Sequence, residues 1–431
     1  MADSTGPAGA PRYAVLRHGA VVLAGTLLLG AAKAAALWLL ARRLGPAVQG
    51  GFSLAIAGMA FGAAIFALGL DYANSYVAGR NPAHAPAVAR NSLGVFAAAV
   101  LVSPLWVLGF VALFPQAAGE GPGLATRVGL LAACTALMSL QLMLQAYALG
   151  THRYARLMAA NLATAAVWLA GALLATAVGY GAVLAAWGAS LLVAVAVLLG
   201  PDAGAVARVG WDRGVLREQL AYGARTIPGT LARALNLRAG LYLIALYLSP
   251  TDVGVYGVLL AVAELFLYLP NALGQVVLAR AASRSHSAAD QQLAYGIVAG
   301  VAAIAALVAL FAGRWLLGTV FGPAYAAGAP ALAALLLAAG VHAIGLLRLH
   351  DLMGRGDPFA GTVGQLAVLG VSLGGGWLLI PRYGLMGAAA TALLVYLGFT
   401  LVLLLRRPRH LAAPAPVRSP AALLHPEPTE L

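Results

Sequence analysis

The single lysine of this 431-residue chain, Lys33, stands in the middle of an apolar run, LLLGAAKAAALWLL. Arg233 and Arg238 stand in a second such run, ARALNLRAGLYLIALYL, and Arg225 enters it from the polar side. A fixed cation at the centre of a membrane helix costs roughly 2.5–3.5 kcal/mol on insertion scales and marks an interior, functional surface. Its natural chemistry is anion binding, and guanidinium forks match phosphate oxygens through paired hydrogen bonds. At roughly 100° per residue, Arg225, Arg233 and Asn236 share one helix face within about 80°, whereas Arg238 points elsewhere unless Pro228 bends the helix. Lys33, Arg225, Arg233, Asn236 and Arg238 are therefore the expected substrate-binding set.

Two carboxylates lie in apolar runs of their own, Asp71 and Glu264. Asn74 and Ser75 extend the face of Asp71. Glu264, Asn271 and Gln275 are spaced i, i+7, i+11 and form another stripe, with Tyr268 beside it. Asp71, Asn74, Glu264, Asn271 and Gln275 are expected to couple transport to an ion or to line a polar cavity. The alternative is that each acid neutralises a nearby arginine. Gln141, Gln145, Asn161, Thr164, Gln365 and Ser372 add further polar faces, which also serve as ordinary contacts between helices. Arg314 and Arg348 lie near the ends of their runs, where the side chain reaches the interface; Arg348 also has Asp351 at i+3.

Several chemistries have no residues to carry them. There is no G-x-x-x-x-G-K-S/T, so no ATP hydrolysis within this chain, and no H-E-x-x-H. No His/Asp/Glu/Cys set has metal-ligand spacing, and the lone Cys134 excludes an intramolecular disulfide. His342 and His350 read as ordinary polar contacts. The expectation is a protein that is not an enzyme and has no cofactor and no metal. The net charge of +13 would fit nucleic acid, but the arginines punctuate apolar spans and read as topology signals instead.

The elements that must position these residues are membrane helices. Hydrophobic residues make up 62% of the chain and charged residues 9%, against roughly 25% charged in soluble domains. Twelve stretches long enough to span a bilayer lie near 19–41, 51–79, 91–114, 124–149, 157–178, 181–200, 224–248, 254–279, 293–318, 329–353, 358–380 and 384–405. The fold class expected is an all-α polytopic membrane protein of about twelve transmembrane helices in two pseudo-symmetric six-helix bundles. The first span is too long for the core of a signal peptide and reads as a membrane helix. Seventeen arginines fall in the tails and loops of one side and four (Arg42, Arg43, Arg127, Arg382) on the other. The positive-inside rule then places both termini in the cytoplasm, with Arg42 and Arg43 snorkelling outward. The expected organisation is an N-terminal stretch 1–18, bundles 19–200 and 224–406, a cytoplasmic linker 201–223 and a disordered Pro/Ala-rich tail 407–431.

The two halves echo one another. Leu44-Gly45-Pro46 with Gly50 and Phe52 aligns with Leu248-Ser249-Pro250, Gly254 and Tyr256 at an offset of 204. Leu149-Gly150 aligns with Met353-Gly354 at the same offset, and Tyr180-Gly181 with Tyr383-Gly384 at 203. Six helices per half make this a parallel repeat, with the site expected between halves at mid-membrane. Lys33 is the equivalent of Leu237, next to Arg238; Asp71 is the equivalent of Gln275.

The run ARRLGPAVQGGFSLA resembles the L-G-P…G-x-F/Y segment of Wzx-type polysaccharide flippases. VFGPAYAAGAPALAAL, GRGDP and LIPRYGLMGAAATA resemble the C-terminal half of that family, in order and spacing, up to about Arg407. The family shares its superfamily with MATE drug exporters and lipid II flippases. The resemblance implies two bundles rocking about a cationic cavity in a bacterial inner membrane. It also implies flipping of an isoprenoid-diphosphate-linked oligosaccharide for O-antigen, lipopolysaccharide or exopolysaccharide biosynthesis. It further implies a monomer working beside a polysaccharide polymerase and a chain-length regulator, with no nucleic acid partner. Lys33, Arg233 and Arg238 are the residues that would supply the cationic cavity. Lipid II flippases typically carry two further C-terminal helices, which argues against lipid II as cargo. A MATE-like exporter of small molecules would favour an acidic cavity; a non-transporting envelope-assembly partner would move nothing.

Overall fold

Inside a bilayer every backbone N–H and C=O must be satisfied within the protein, and an apolar chain does so as helix. The computed structural model describes residues 10–119, 123–175, 177–282, 288–357 and 359–407, and among these there is no strand. Residues 1–9 of the expected N-terminal stretch 1–18 and 408–431 of the expected tail 407–431 lie outside the described residues, as do Glu120 and the side chain of Gln275.

Among the described residues fourteen α-helices follow in chain order: α1 (Ala10–Phe66), α2 (Leu70–Arg80), α3 (Ala85–Leu113), α4 (Leu124–Gly150), α5 (Tyr154–Ala175), α6 (Tyr180–Leu199), α7 (Ala203–Arg208), α8 (Arg213–Tyr247), α9 (Pro250–Phe266), α10 (Tyr268–Ala282), α11 (Ala288–Val320), α12 (Ala329–Gly354), α13 (Ala360–Gly370) and α14 (Gly376–Leu405). Nine helical stretches among the described residues are long and apolar enough to cross a membrane. Two of them hold a second crossing. α1 would measure about 85 Å if straight, far beyond the ~30 Å hydrocarbon core, and it breaks at Gly45 (φ 77°, ψ 171°) before Pro46. The stretch 360–405 breaks likewise at Gly384 (φ 57°, ψ −133°). The arginine-bearing α8 is too polar to count among the nine, and with it the crossings number about twelve. The protein is a multi-pass membrane protein.

Helix α8 begins at Arg213, eleven residues before the expected start of the seventh span at 224. The reason is local: the Asp212 carboxylate caps the helix by accepting from the Val215 N–H at 3.0 Å. The stretch 213–223 expected within the linker is therefore the first three turns of that helix.

Repeat-equivalent residues meet at the arginine-poor end. Gly50 of α1 faces Gly254 of α9, and a Cβ on Gly50 would lie 2.6 Å from the Gly254 nitrogen and 2.7 Å from the Pro250 carbonyl. The reciprocal contact holds too, because a Cβ on Gly254 would collide with the Pro46 carbonyl. One turn on, a Cβ on Gly257 would lie 2.6 Å from the Oγ of its equivalent, Ser53. A surface that meets its own equivalent in both directions is an isologous contact, so a pseudo-twofold axis passes between these helices. Small residues permit the backbones to approach this closely. The same end is laced by Trp38 donating to the Val320 carbonyl (2.8 Å) and Arg42 donating to the Thr319 carbonyl (2.6 Å). Arg42 thus bonds to the C-terminal half.

At the arginine-rich end each half is closed by ion pairs. Asp202 accepts from Arg156 (2.6 Å) and Tyr147 (2.9 Å) and is paired with Arg153. Arg406 binds Asp357 at 2.5 and 3.1 Å, and this carboxylate holds the guanidinium above its ordinary pKa. Arg153 and Asp357 are 204 apart, as are Asp202 and Arg406. The repeat keeps the pair and exchanges its charges. Arg348 binds the adjacent Asp351 (2.6 Å) and the Arg406 carbonyl (3.0 Å), while Arg314 is exposed.

Candidate functional site

The second helix of each half is interrupted inside the membrane. Between α1 and α2 the chain passes through Leu68 (φ 51°) and Gly69 (φ 75°); between α9 and α10 it breaks at Leu267. Asp71 lies in the first turn after one break and Glu264 in the last turn before the other. Interrupted helices at membrane depth are tolerated where they line protein or a cavity, and they carry polar groups to the midplane.

Glu264 is bound to Arg238. Its two carboxylate oxygens accept from the two guanidinium nitrogens at 2.7 and 3.2 Å, a forked charge-assisted pair. Tyr242 and Tyr396 lie within electrostatic reach of the pair, and a Cβ on Gly240 would meet the Tyr256 hydroxyl at 2.7 Å. Lys33 approaches from the other half of the protein. It feels the charge of both Glu264 and Arg238, and its Nζ stands 5.9 Å over the Trp187 ring. Trp187 is held there by a ladder in which it packs edge-on to Trp168 (5.0 Å), which stacks on Phe52 (5.5 Å). One turn before Lys33, Gly30 leaves room for the Tyr268 ring, which a Cβ would meet at 2.7 Å. Lys33 is exposed at this seam, and Arg238 beside Glu264 is half-buried. The seam between the halves is therefore not closed at these side chains, and we refer to this opening as the gap.

Arg233 is exposed and is the charged neighbour of Asp71 across the seam; one Asp71 oxygen is buried without a hydrogen-bond partner. Arg225 is exposed, and among the described residues neither it, Arg233 nor Lys33 forms an ion pair. Asn236 turns from this gap toward α13, donating to the Gln365 carbonyl and Oε1, both at 2.9 Å. Asn271 donates back to Leu267 of its own helical segment (2.7 Å) and is exposed. The structure therefore brings Lys33, Arg238 and Glu264 together, sets Arg233 beside Asp71, and leaves Asn236 and Asn271 in local contacts.

Asn74, expected on the polar face of Asp71, is instead fully buried between α2, α3, α4 and α8. It donates to Ser92 Oγ and the Met143 carbonyl, each at 2.9 Å, and accepts from Gln219 at 2.7 Å. Gln219 in turn accepts from Asn91 (2.9 Å), which also donates to the Asp212 carbonyl (3.1 Å). This network ties the two halves at the arginine-rich end, where Tyr76 stacks on Tyr222 (4.5 Å) and Arg80 faces Glu218 (3.7 Å). A Cβ on Gly69 would lie 2.5 Å from the Gly223 Cα, so the backbones touch there as well. With the glycine contact at the opposite end, the gap around Lys33 is bridged above and below.

Sequence reasoning missed Gln219, which falls in the expected linker 201–223, and Asn91, the first residue of the expected third span 91–114. The signal available was Asp212, a capping residue three positions before Val215. Sequence reasoning read His342 as an ordinary polar contact. In the structure His342 is buried against Tyr396 (4.2 Å, stacked) and Phe399 (5.0 Å), with its Nδ1 unpartnered and Arg233 within electrostatic reach.

Comparison with solved structures decides the architecture. A lipid II flippase, MurJ, in an inward closed conformation superposes with a TM-score of 0.70 at 13% identity, over 89% of this chain and 86% of that one. The fold is that of MurJ and the MATE transporters. An inward-facing multidrug-resistance MATE transporter of the MOP superfamily matches with a TM-score of 0.65 at 15% identity, over 90% of this chain and 96% of that one. The eukaryotic MATE transporter AtDTX14 gives 0.62 at 13% identity, over 91% and 96%. No family profile matches the sequence, and no curated relative does. In this MATE-like fold the six-helix halves flank the gap that holds Lys33, Arg238 and Glu264.

Proposed function

We propose that the protein is a flippase that moves an isoprenoid-diphosphate-linked oligosaccharide across a bacterial inner membrane for surface polysaccharide biosynthesis. The observation that carries this reading is the excess of cations between the halves. Lys33, Arg233 and Arg238 lie by two carboxylates, Asp71 and Glu264, one of which is already committed to Arg238, and Arg225 adds an exposed cation on the same helix as Arg233 and Arg238. A lipid diphosphate needs a passage that is cationic and polar for its headgroup and open to lipid for its tail. A drug or organic cation needs a free acidic surface, and the committed Glu264 does not offer one. One of the proteins sharing the fold, MurJ, is itself a lipid II flippase. With Arg153, Arg156, Arg348 and Arg406 on the cytoplasmic side, both termini are cytoplasmic and cargo is loaded from the inner leaflet.

The direct test is genetic and chemical together. Deleting the gene is expected to abolish one surface polysaccharide while its lipid-linked repeat accumulates facing the cytoplasm. Persistence of every surface polysaccharide in a strain lacking other transporters of this fold would refute the reading. Sensitivity to cationic dyes in place of a polysaccharide defect would favour a MATE-like exporter.

A further inference from the structure

The pair at the centre of the gap is asymmetric. By the repeat offset of 204, Glu264 corresponds to Ala60 and Arg238 to Ala34, so the N-terminal half has no such pair and contributes Lys33 alone. Among the described residues Glu264 is the carboxylate that pairs with Arg238 of its own half and whose charge also reaches Lys33 of the other. Without it, Lys33 and Arg238 would face each other across the seam with nothing to separate their charges, and like charges in a poorly hydrated gap repel strongly. Two cations within electrostatic reach of each other favour an anion beside them, and here that anion is the Glu264 side chain.

We propose that Glu264 is a resident counter-anion that the cargo's diphosphate must displace, and that it thereby acts as a specificity filter. The inference rests on the flippase reading above and adds to it the rule by which cargo is accepted. Glu264 satisfies Arg238 through both of its oxygens, so an incoming group gains only if it offers more than one carboxylate does. A diphosphate carries at least two negative charges over several oxygens and can engage Arg238 and Lys33 together. The single phosphate of an ordinary phospholipid carries one charge and offers no advantage over Glu264. Such phospholipids surround the protein in great excess, and a cationic gap open to them would scramble the bilayer. Glu264 is placed to yield: it lies three residues before the helix break at Leu267, where α9 gives way to α10.

The test compares binding of inorganic pyrophosphate and inorganic phosphate to the purified full-length protein in detergent, for wild type and variants. Wild type is expected to prefer pyrophosphate. Glu264→Gln keeps the shape of the side chain and removes its charge; it is expected to bind both ions roughly tenfold more tightly or better, with the preference for pyrophosphate reduced. Glu264→Asp, which keeps the charge but withdraws it from Arg238 by one methylene, is expected to fall between the two and guards against a folding defect in the first variant. In vesicles of phosphatidylcholine with a trace of fluorescent phosphatidylglycerol, Glu264→Gln is expected to scramble the probe and wild type is not. Equal or weaker phosphate binding by both Glu264 variants, with Lys33→Ala and Arg238→Ala still lowering pyrophosphate affinity, would overturn the filter and leave the cationic site standing. Pyrophosphate binding that none of the four substitutions changes would overturn both.

Discussion

Gly50 and Gly254 are repeat equivalents, and they touch: backbone meets backbone where the first and second halves of the chain face each other. The contact is reciprocal, with the Pro250 carbonyl against Gly50 and the Pro46 carbonyl against Gly254. A joint of this kind holds only while both positions lack a side chain. Gly254→Ala would drive a methyl group into the backbone of α1, and is expected to cost about 1–3 kcal/mol, as overpacking does. The variant should also part the seam, so that a cysteine replacing Ser53 reacts with an impermeant maleimide from outside. Cys134 is buried and does not interfere. Unchanged stability and an unreactive cysteine would show that the seam is loose.

At the opposite end the corresponding role falls to a hydrogen-bond network. Gln219→Leu leaves Asn74 Oδ1 without its donor inside a packed interface. The expected loss is about 1–3 kcal/mol, the penalty for an orphaned buried acceptor, measured as a lowered melting temperature in detergent. An unaltered melting temperature would mean that the network does not hold the halves together.

The exchanged ion pairs give a sharper test of the repeat. Asp357→Ala strips the partner from Arg406 in a nearly closed setting and is expected to cost about 3 kcal/mol. Asp357→Arg combined with Arg406→Asp copies the charge order of Arg153 and Asp202 in the other half. The double variant should recover most of the stability lost by either single change. If it is no better than the single variants, the two pairs are not interchangeable.

Much of this was legible in the chain. The turns at Gly45-Pro46 and Gly384, the repeat offset and the three deep cations all follow from hydropathy and from residue types that are costly in lipid. What pairs with what was not legible. Arg238 lies on α8 and Glu264 on α9, and helix periodicity fixes the direction of each side chain without fixing the rotation of one helix against the next. Asn74 was misplaced for a related reason. Asp71 and Asn74 lie at i, i+3 in the same helix, α2, on adjoining faces, and periodicity does not tell which part of that face neighbouring helices bury. Gln219 was hidden by its neighbours: Arg213, Arg217, Glu218 and Tyr222 make the segment look like a solvated linker, although a capping aspartate starts a helix there.

Orientation in the membrane rests on arginine counts and is open to direct measurement. Reporters fused after Arg208 or at the C-terminus are expected to read cytoplasmic, and reporters at Gly119 or Tyr325 extracytoplasmic. A reversed pattern at two of these sites would invalidate the twelve-crossing topology.

The central claim is that cations from both halves carry a lipid diphosphate through the gap. Its most direct test is translocation of a fluorescent isoprenoid-diphosphate-linked glycan in vesicles containing the purified protein. Wild type should move the probe to the far leaflet faster than empty vesicles do. Lys33→Ala and Arg238→Ala should each weaken its binding by roughly one to two decades, the value of about 1.5–3 kcal/mol for a lost charge-assisted contact. Translocation at the rate of empty vesicles, or wild-type binding by both variants at normal expression, would contradict the account.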